Sequence, residues 1–424
     1  MSQPEAALSE KTLSEKTLSE KTLSEKALSG AELDVIRQTA PAVGGALDEI
    51  TPLFYRKLFA AHPELGRDLF NRGNQAQGDQ PRALAGSIVA FAGLVLEGGQ
   101  EGYGSVLDRV ASKHASLGVV AEQYPIVYEH LFAAIVDVLG EAITPEVASA
   151  WTKLYWLMAD ELVARERALY DAAHVAPGDV WREARVVSRA FESADVISLE
   201  LASVSGELPA FLPGQYVSVQ VALPDGARQI RQYSLSRGQA PGTWRIGVKR
   251  IKGEAGVPDG EVSGFIYEHV FEGDLLRVSI PSGDLVLDES DRPLVLVSAG
   301  IGCTPMMGML HHLAAERSKR PTKVLHADRA LSAHAYRAEL AELVDRLPDG
   351  RLWTWYQSVG RSREGVLSGL MDFEAVDIAP GSIAFVCGPK PFMRYVVAAL
   401  MDKGIPESDV RYELFGPHAS LLDA

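Results

Sequence analysis

The spacing of apolar residues changes character twice along this chain, and those two changes limit what it can fold into. From Ser29 to about Tyr170 they recur at three- and four-residue steps. Leu47, Ile50, Phe54 and Leu58 form one such series, Leu84, Ile88, Phe91 and Val95 a second. Leu131 and Ile135, then Leu154, Met158 and Leu162, continue it. This is the period of helices with several faces to bury, so the segment reads as an all-α domain. Ser29-Gly30-Ala31-Glu32 opens it with a capping box, and Ala176-Pro177-Gly178-Asp179 ends it as a linker. From Trp181 short β-branched runs follow one another closely, among them Val196–Leu199, Tyr216–Val219, Trp244–Val248 and Leu275–Val278. Without helices between them they predict an antiparallel β-barrel. From Arg292 strands and helices alternate. Leu294–Ser298 precedes a helix over Thr304–Glu316, Val324–His326 one over Ala333–Leu347, and Ile383–Val386 one over Pro391–Met401. That alternation predicts a doubly wound parallel α/β sheet. The predicted domains are therefore 29–175, 176–288 and 289–424, after an extension over 1–28.

Composition narrows the function classes. A chain of 424 residues holds about three cores of ~150 residues each. A formal net charge of −15 speaks against nucleic-acid and anionic-membrane partners, which reward Lys and Arg. Two cysteines, Cys303 and Cys387, cannot build a disulfide framework or a thiolate metal site, which fits a reducing cytoplasm. Met1-Ser2-Gln3-Pro4-Glu5 does not read as a secretory signal. No run reaches ~18 apolar residues, so no stable membrane insertion is expected. The extension repeats Leu-Ser-Glu-Lys-Thr with Leu8, Leu13, Leu18 and Leu23 in phase. A five-residue step makes those leucines spiral around a helix, so a solvated, low-complexity segment is the expected reading of the repeat and a partner-binding helix the alternative.

Three motifs in the second half carry chemistry. Arg231-Gln232-Tyr233-Ser234 stands with Pro213-Gly214-Gln215-Tyr216 before it and Gly260-Glu261-Val262-Ser263 after it. Together they resemble the flavin-binding barrel of the ferredoxin-reductase superfamily. The resemblance implies FAD contacts from Tyr216, Arg231, Gln232, Tyr233, Ser234, Val262 and Ser263. Arg231 would hold the pyrophosphate, a bidentate role suited to guanidinium. Tyr233 would pack on the isoalloxazine, and Ser234 would donate to the nitrogen that accepts hydride. Gly300-Ile301-Gly302-Cys303-Thr304-Pro305 follows a buried strand and opens a helix, so backbone N–H groups and the helix dipole can meet a phosphate. Cys387-Gly388-Pro389 after a later strand resembles the superfamily's second nicotinamide motif. NADH or NADPH is the implied donor. Asp328 would suit a ribose hydroxyl and Arg329 a 2′-phosphate, so the choice stays open.

The helical half should hold an electron acceptor. Leu107, Val110 and His114 advance by three and four, so His114 replaces an apolar residue on an inward stripe. Glu166 continues Leu154, Met158 and Leu162, and Tyr124 lies in phase with Leu131 and Ile135. Three inward polar residues on three helices imply a site, because a buried carboxylate needs a strong donor. Here the chain resembles the flavohaemoglobins. Phe54-Tyr55, His62-Pro63-Glu64-Leu65, Phe70-Asn71, Gly78-Asp79-Gln80, Lys113-His114, Glu122-Gln123-Tyr124, Arg165-Glu166 and Tyr412–His418 match in order.

That resemblance implies haem b on His114, with Tyr124 and Glu166 as its hydrogen-bonded partners. It implies distal donors in Tyr55 and Gln80, apolar walls in Phe70 and Leu84, and Phe415 near the flavin. Electrons would pass from NAD(P)H through FAD to haem. O2 and nitric oxide would be the small-molecule partners of a nitric oxide dioxygenase forming nitrate. A hydroperoxide or other oxidant reductase is the alternative on the same parts, and an oxygen or redox sensor binding a partner is the alternative of another class. The 252–259 loop is longer than the family pattern suggests.

Overall fold

The computed structural model describes residues 28–72, 79–97, 104–237, 242–253, 258–358, 365–374 and 376–416. The pentapeptide repeat, the 254–257 stretch of the barrel loop and residues 417–424 lie outside them. The chain forms two compact units, one of residues 1–61, 81–107 and 120–165, the other of 62–80, 108–119 and 166–424. These limits cut across the linear domains read from the sequence. Among the described residues no helix is long and apolar enough to cross a membrane.

The first half is helical. Its α-helices are α1 (Gly30–Gly45), α2 (Leu47–Ala61), α3 (Pro63–Asp68), α4 (Asp79–Leu96), α5 (Gly104–Leu117), α6 (Tyr124–Leu139) and α7 (Pro145–Ala172). The capping box forms as expected. Ser29 Oγ accepts the Glu32 N–H at 3.3 Å, and the Ser29 N–H donates to Glu32 Oε2 at 2.7 Å. In the first unit the predicted stripes meet: Ile36, Ile50, Phe54, Leu58, Phe91, Leu131, Leu154 and Leu162 are all buried. Trp151 Nε1 donates to Thr39 Oγ1 at 2.8 Å, which satisfies the one polar atom of a buried indole.

The second unit contains both β-structures. Strands β1 (Trp181–Phe191), β2 (Val196–Ser203), β3 (Tyr216–Ala222), β4 (Arg228–Arg237), β5 (Thr243–Lys249) and β6 (Leu275–Ser279) close into an antiparallel barrel in the order β1-β2-β5-β4-β3-β6. Alternate residues such as Leu199, Leu201, Val217, Val219, Ile246 and Val248 fill it. The expectation of uninterrupted strands fails at one place. Helix α8 (Glu261–His269) lies between β5 and β6, because Val262 and Ile266, four apart, both drop into the barrel core.

The doubly wound sheet is present. β7 (Leu294–Ala299), β8 (Thr322–Ala330), β9 (Gly350–Ser358), β10 (Val366–Ser368), β11 (Ile383–Cys387) and β12 (Val410–Glu413) are parallel, in the order β10-β9-β8-β7-β11-β12. Leu294 and Leu296 face α9 (Cys303–Ala315) and α10 (Arg337–Asp345), while Val295 and Val297 face α11 (Lys390–Asp402). Burial on both faces explains why β7 reads as a continuous apolar run. The strand order reverses between β7 and β11, and a crevice at such a switch point, beyond the carboxyl ends, is where these sheets bind ligands.

Candidate functional site

The carboxyl ends of β7 and β11 carry the two nucleotide motifs. Gly300 takes a left-handed φ of 54°, and Gly302 packs so tightly that a Cβ would lie 2.4 Å from the Cys387 carbonyl oxygen. The Gly-x-Gly turn and the Cys-Gly-Pro turn are thereby pressed together. Thr304 Oγ1 donates to the Ile301 carbonyl at 3.0 Å and holds the turn shut at the head of α9. Ile301 is half-buried and Pro305 buried, while Pro389 precedes the first residue of α11. Burial pushes the Cys303 thiol up to about 12 and Cys387 well above its ordinary range, so both stay protonated.

The flavin motifs meet on neighbouring barrel strands. Tyr216 pairs in register with Ser234, and Val219 with Arg231. Two residues before β3, Gly214 has a φ of +105°, and a Cβ there would lie 2.0 Å from the Leu285 carbonyl oxygen, so only glycine fits that turn. Ser234 is buried. Burial lowers the pKa of Arg231, and Arg72 adds to the shift against the pull of Tyr233 and Glu261. A desolvated guanidinium beside a second cation is a setting that an anion relieves, as a pyrophosphate would. Gln232 Nε2 donates to Ser218 Oγ at 3.0 Å, and Ser218 Oγ donates to Ser116 Oγ at 2.9 Å. That chain of bonds joins β4 and β3 to α5, two residues past His114. The side chains of Val262 and Ser263 are engaged locally. Val262 is barrel core, while Ser263 Oγ accepts the Ile251 N–H and donates to the Gly260 carbonyl. Any phosphate contact there falls to the backbone. Phe415 is half exposed at 50%.

In the second unit the inward residues His114 and Glu166 come together. His114 Nδ1 on α5 lies 2.7 Å from Glu166 Oε1 on α7, and Glu166 is 2% exposed. With Nδ1–H donating to the carboxylate, the ring's coordinating lone pair sits on Nε2. Among the described residues no three His, Cys, Asp or Glu side chains converge to hold a bare ion. A single carboxylate-braced imidazole therefore fits an iron whose other ligands come from a porphyrin. Tyr124 is buried in the first unit at the head of α6, and its carbonyl accepts the Tyr155 hydroxyl at 2.8 Å. Tyr55 is buried in that unit, its ring 4.6 Å from Phe54 and 5.4 Å from Phe59. Phe70 is half-buried, and its carbonyl accepts from Gln229 Nε2 at 3.2 Å. The side chains of Gln80 and Leu84 on α4 lie outside the described residues.

Sequence reasoning did not single out a half-buried charge cluster beside Tyr216. Arg109 Nε lies 3.6 Å from Asp284 Oδ2, and its guanidinium sits 4.7 Å from the centre of the Tyr412 ring. Glu413, paired in register with Cys387, has a buried Oε2 without a hydrogen-bond donor. Burial, reinforced by Asp284, pushes its carboxyl up to about 8 against the opposing pull of Arg109 and Lys113. Burial also lowers Lys113 and raises Tyr216. The one local signal was the four-residue step from Arg109 to Lys113 on the helix that carries His114.

Known proteins match this architecture. Residues 53–162 match the globin family and residues 296–398 the oxidoreductase NAD-binding domain family. The flavohemoprotein of Bordetella pertussis is 42% identical over 401 residues, covering 90% of this chain and 97% of that protein. The flavohemoprotein of Deinococcus radiodurans is 40% identical over 398 residues, covering 91% and 96%. Among solved structures, the flavohemoglobin of Malassezia yamatoensis with bound FAD and heme superposes with a TM-score of 0.85 at 34% identity, over 92% of this chain and all of that one (100%). The FAD/NAD-binding domain of the nitric oxide dioxygenase of Vibrio cholerae superposes with a TM-score of 0.52 at 35% identity, over 56% of this chain and 99% of its own.

Proposed function

The chain belongs to the flavohaemoprotein family, and from that premise we propose that it is a nitric oxide dioxygenase, driven by NAD(P)H, that converts nitric oxide and O2 to nitrate. The observation that carries the reading furthest is the 2.7 Å contact of His114 with the buried Glu166. Haem held on His114 would supply an iron for O2 and nitric oxide, and FAD held on the barrel strands would supply the conversion of a hydride into single electrons. Glu166 fixes the His114 tautomer and gives its ring anionic character, which favours activating a ligand over storing it. Tyr124 and Glu166 are read as the partners of the proximal histidine, with Tyr55 and Gln80 as distal donors. Leu84 and Phe70 would wall the haem pocket.

Arg231 would neutralise the flavin's pyrophosphate, Tyr216, Gln232 and Tyr233 would orient the flavin, and Ser234 would donate a hydrogen bond to it. Val262 and Ser263 contribute backbone N–H groups at the head of α8. The Gly300–Pro305 turn takes the dinucleotide phosphates, and Cys387-Gly388-Pro389 seats the nicotinamide. Glu413, near neutrality in its proton affinity, can hold a proton beside the flavin strands. The likeness to a nitric oxide dioxygenase's flavin and nucleotide region supports the choice of oxidant.

NADH is the donor this geometry favours. Burial works to raise Asp328, but the His326 imidazole 3.7 Å away and the bond from the Arg329 N–H outweigh it and hold the carboxyl below its ordinary range. Its side chain is 4% exposed, and it would repel a 2′-phosphate. Arg329, the candidate phosphate binder, reaches instead to Asp195 at 3.3 Å. The test is nitrate formation from nitric oxide by the purified holoenzyme with NADH, with and without O2. No O2-dependent nitrate, or faster NADH oxidation with a hydroperoxide at equal concentration, would overturn the reading.

A further inference from the structure

A second buried polar cluster lies away from the motifs, where the barrel meets α9 and α10. Arg245 on β5 is 6% exposed, and its Nη1 lies 2.9 Å from Glu339 Oε2 and 3.1 Å from Oε1 on α10. Glu339 Oε1 is also 2.8 Å from His311 Nε2 on α9. Arg245 Nε donates to Ser236 Oγ at 3.1 Å, and Ser236 Oγ donates back to the Arg245 carbonyl at 3.1 Å. The guanidinium lies 4.8 Å from the centre of the Tyr336 ring, and Tyr336 itself holds a left-handed φ of 58° at the head of α10. Beneath them Gly247 has no room for a side chain. A Cβ there would sit 2.5 Å from Tyr336 Oη and 2.9 Å from Thr304 Cγ2.

Each of these residues attaches to a part of the hydride-transfer machinery without belonging to it. Ser236 follows Ser234 by two residues on β4, and His311 stands two turns along α9 from Thr304. We propose that Arg245, Glu339 and His311 form a positioning device that fixes the approach of the dinucleotide turn to the Ser234 strand. A buried ion pair is a poor source of net stability, because desolvating both partners offsets their attraction. What it does supply is direction. Arg245 Nη1 lies within reach of both Glu339 oxygens while its Nε is held by Ser236, so the guanidinium is fixed in orientation as well as distance, and three elements converge on one carboxylate. Hydride transfer is sensitive to such placement, since a shift of ~1 Å at the reacting atoms costs about 100-fold in rate. The inference rests on the NAD(P)H-to-flavin half of the proposed function and is indifferent to the final oxidant.

The test uses the holoenzyme and anaerobic stopped-flow reduction of its flavin by NADH. Glu339→Gln removes the charge and keeps the shape. Gly247→Ala drives a methyl between Tyr336 and Thr304, and Tyr336→Phe added to it removes the atom it strikes first. Expected are ~10- to 100-fold slower flavin reduction at saturating NADH in Glu339→Gln and Gly247→Ala, with partial recovery in Gly247→Ala/Tyr336→Phe. The dissociation constant for NAD+, read from flavin absorbance, should stay within about threefold, and the nicotinamide–flavin charge-transfer band should weaken. Unchanged reduction rates would overturn the proposal, as would a rate loss matched by equal loss of NAD+ binding. A wild-type flavin that NADH does not reduce would instead refute the proposed function.

Discussion

Gly302→Ala is the sharpest single test of how the two nucleotide turns share space. A Cβ built on Gly302 lies 2.4 Å from the Cys387 oxygen, 2.6 Å from its carbonyl carbon and 2.9 Å from the Gly388 nitrogen. All three are backbone atoms, so no side chain can swing aside. Reaching the ordinary contact distance of 3.4 Å requires the two turns to part by about 1 Å. Overpacking of this kind costs roughly 1–3 kcal/mol of stability. The kinetic cost should be larger, because the turns proposed to take the phosphates and to seat the nicotinamide would no longer keep their spacing. A displacement of that size corresponds to about a 100-fold loss in hydride transfer. The assay is anaerobic flavin reduction by NADH beside a thermal melt of the same holoenzyme. Gly93→Ala is the control, since nothing lies within 4 Å of its Cβ, and it should be neutral or stabilising by up to ~1 kcal/mol. Flavin reduction within threefold of wild type in Gly302→Ala would refute the reasoning, whatever the melt shows.

Four further outcomes are expected. His114→Ala should lose the Soret band while NADH still reduces the flavin at the wild-type rate, as absorbance spectra will report. Glu166→Gln should keep haem but slow O2-dependent nitric oxide consumption by about 10- to 100-fold, the usual cost of losing a ligand's supporting carboxylate. Glu413 has a raised carboxyl, about 8 against an ordinary 4.5, so the folded protein holds a proton that the unfolded chain releases. Stability should therefore fall as pH rises from about 4.5 to about 8, and Glu413→Gln should flatten that fall and melt higher at pH 8, by about 2–4 °C for each kcal/mol regained. Asp328→Ser should raise the NADPH-to-NADH ratio of kcat/KM by about tenfold or more, since it removes one repelling charge from beside a 2′-phosphate.

The fold was largely legible because its layers have different periods. Strands buried on both faces, such as β7, announce themselves as apolar runs, and the helices of the first unit by steps of three and four. Local exceptions escaped. Helix α8 shows only the Val262 to Ile266 step among residues that also suit a turn. Helix α10 starts at Arg337, later than the sequence suggests, because Tyr336 turns left-handed to lie against Arg245. His114 and Glu166 were legible because each breaks an apolar stripe. Arg109, Asp284 and Glu413 were not, since each comes from a different element and only folding makes them neighbours. The same holds for Arg245 and Glu339, which carry no pattern until β5 and α10 meet.

Strand β12 has a consequence for the order in which the protein can be built. It pairs along β11 and delivers Glu413 to the cluster around Tyr216, Arg109 and Lys113. Arg109 and Lys113 leave the ribosome with α5, whereas the carboxyl that answers them emerges only after the barrel and strands β7 to β11. Until then the nascent chain has the barrel, the dinucleotide turn and the imidazole of His114, but not the group that closes the polar seam between α5 and the flavin strands. The seam therefore closes only once β12 has paired along β11, and folding of the barrel alone leaves it open.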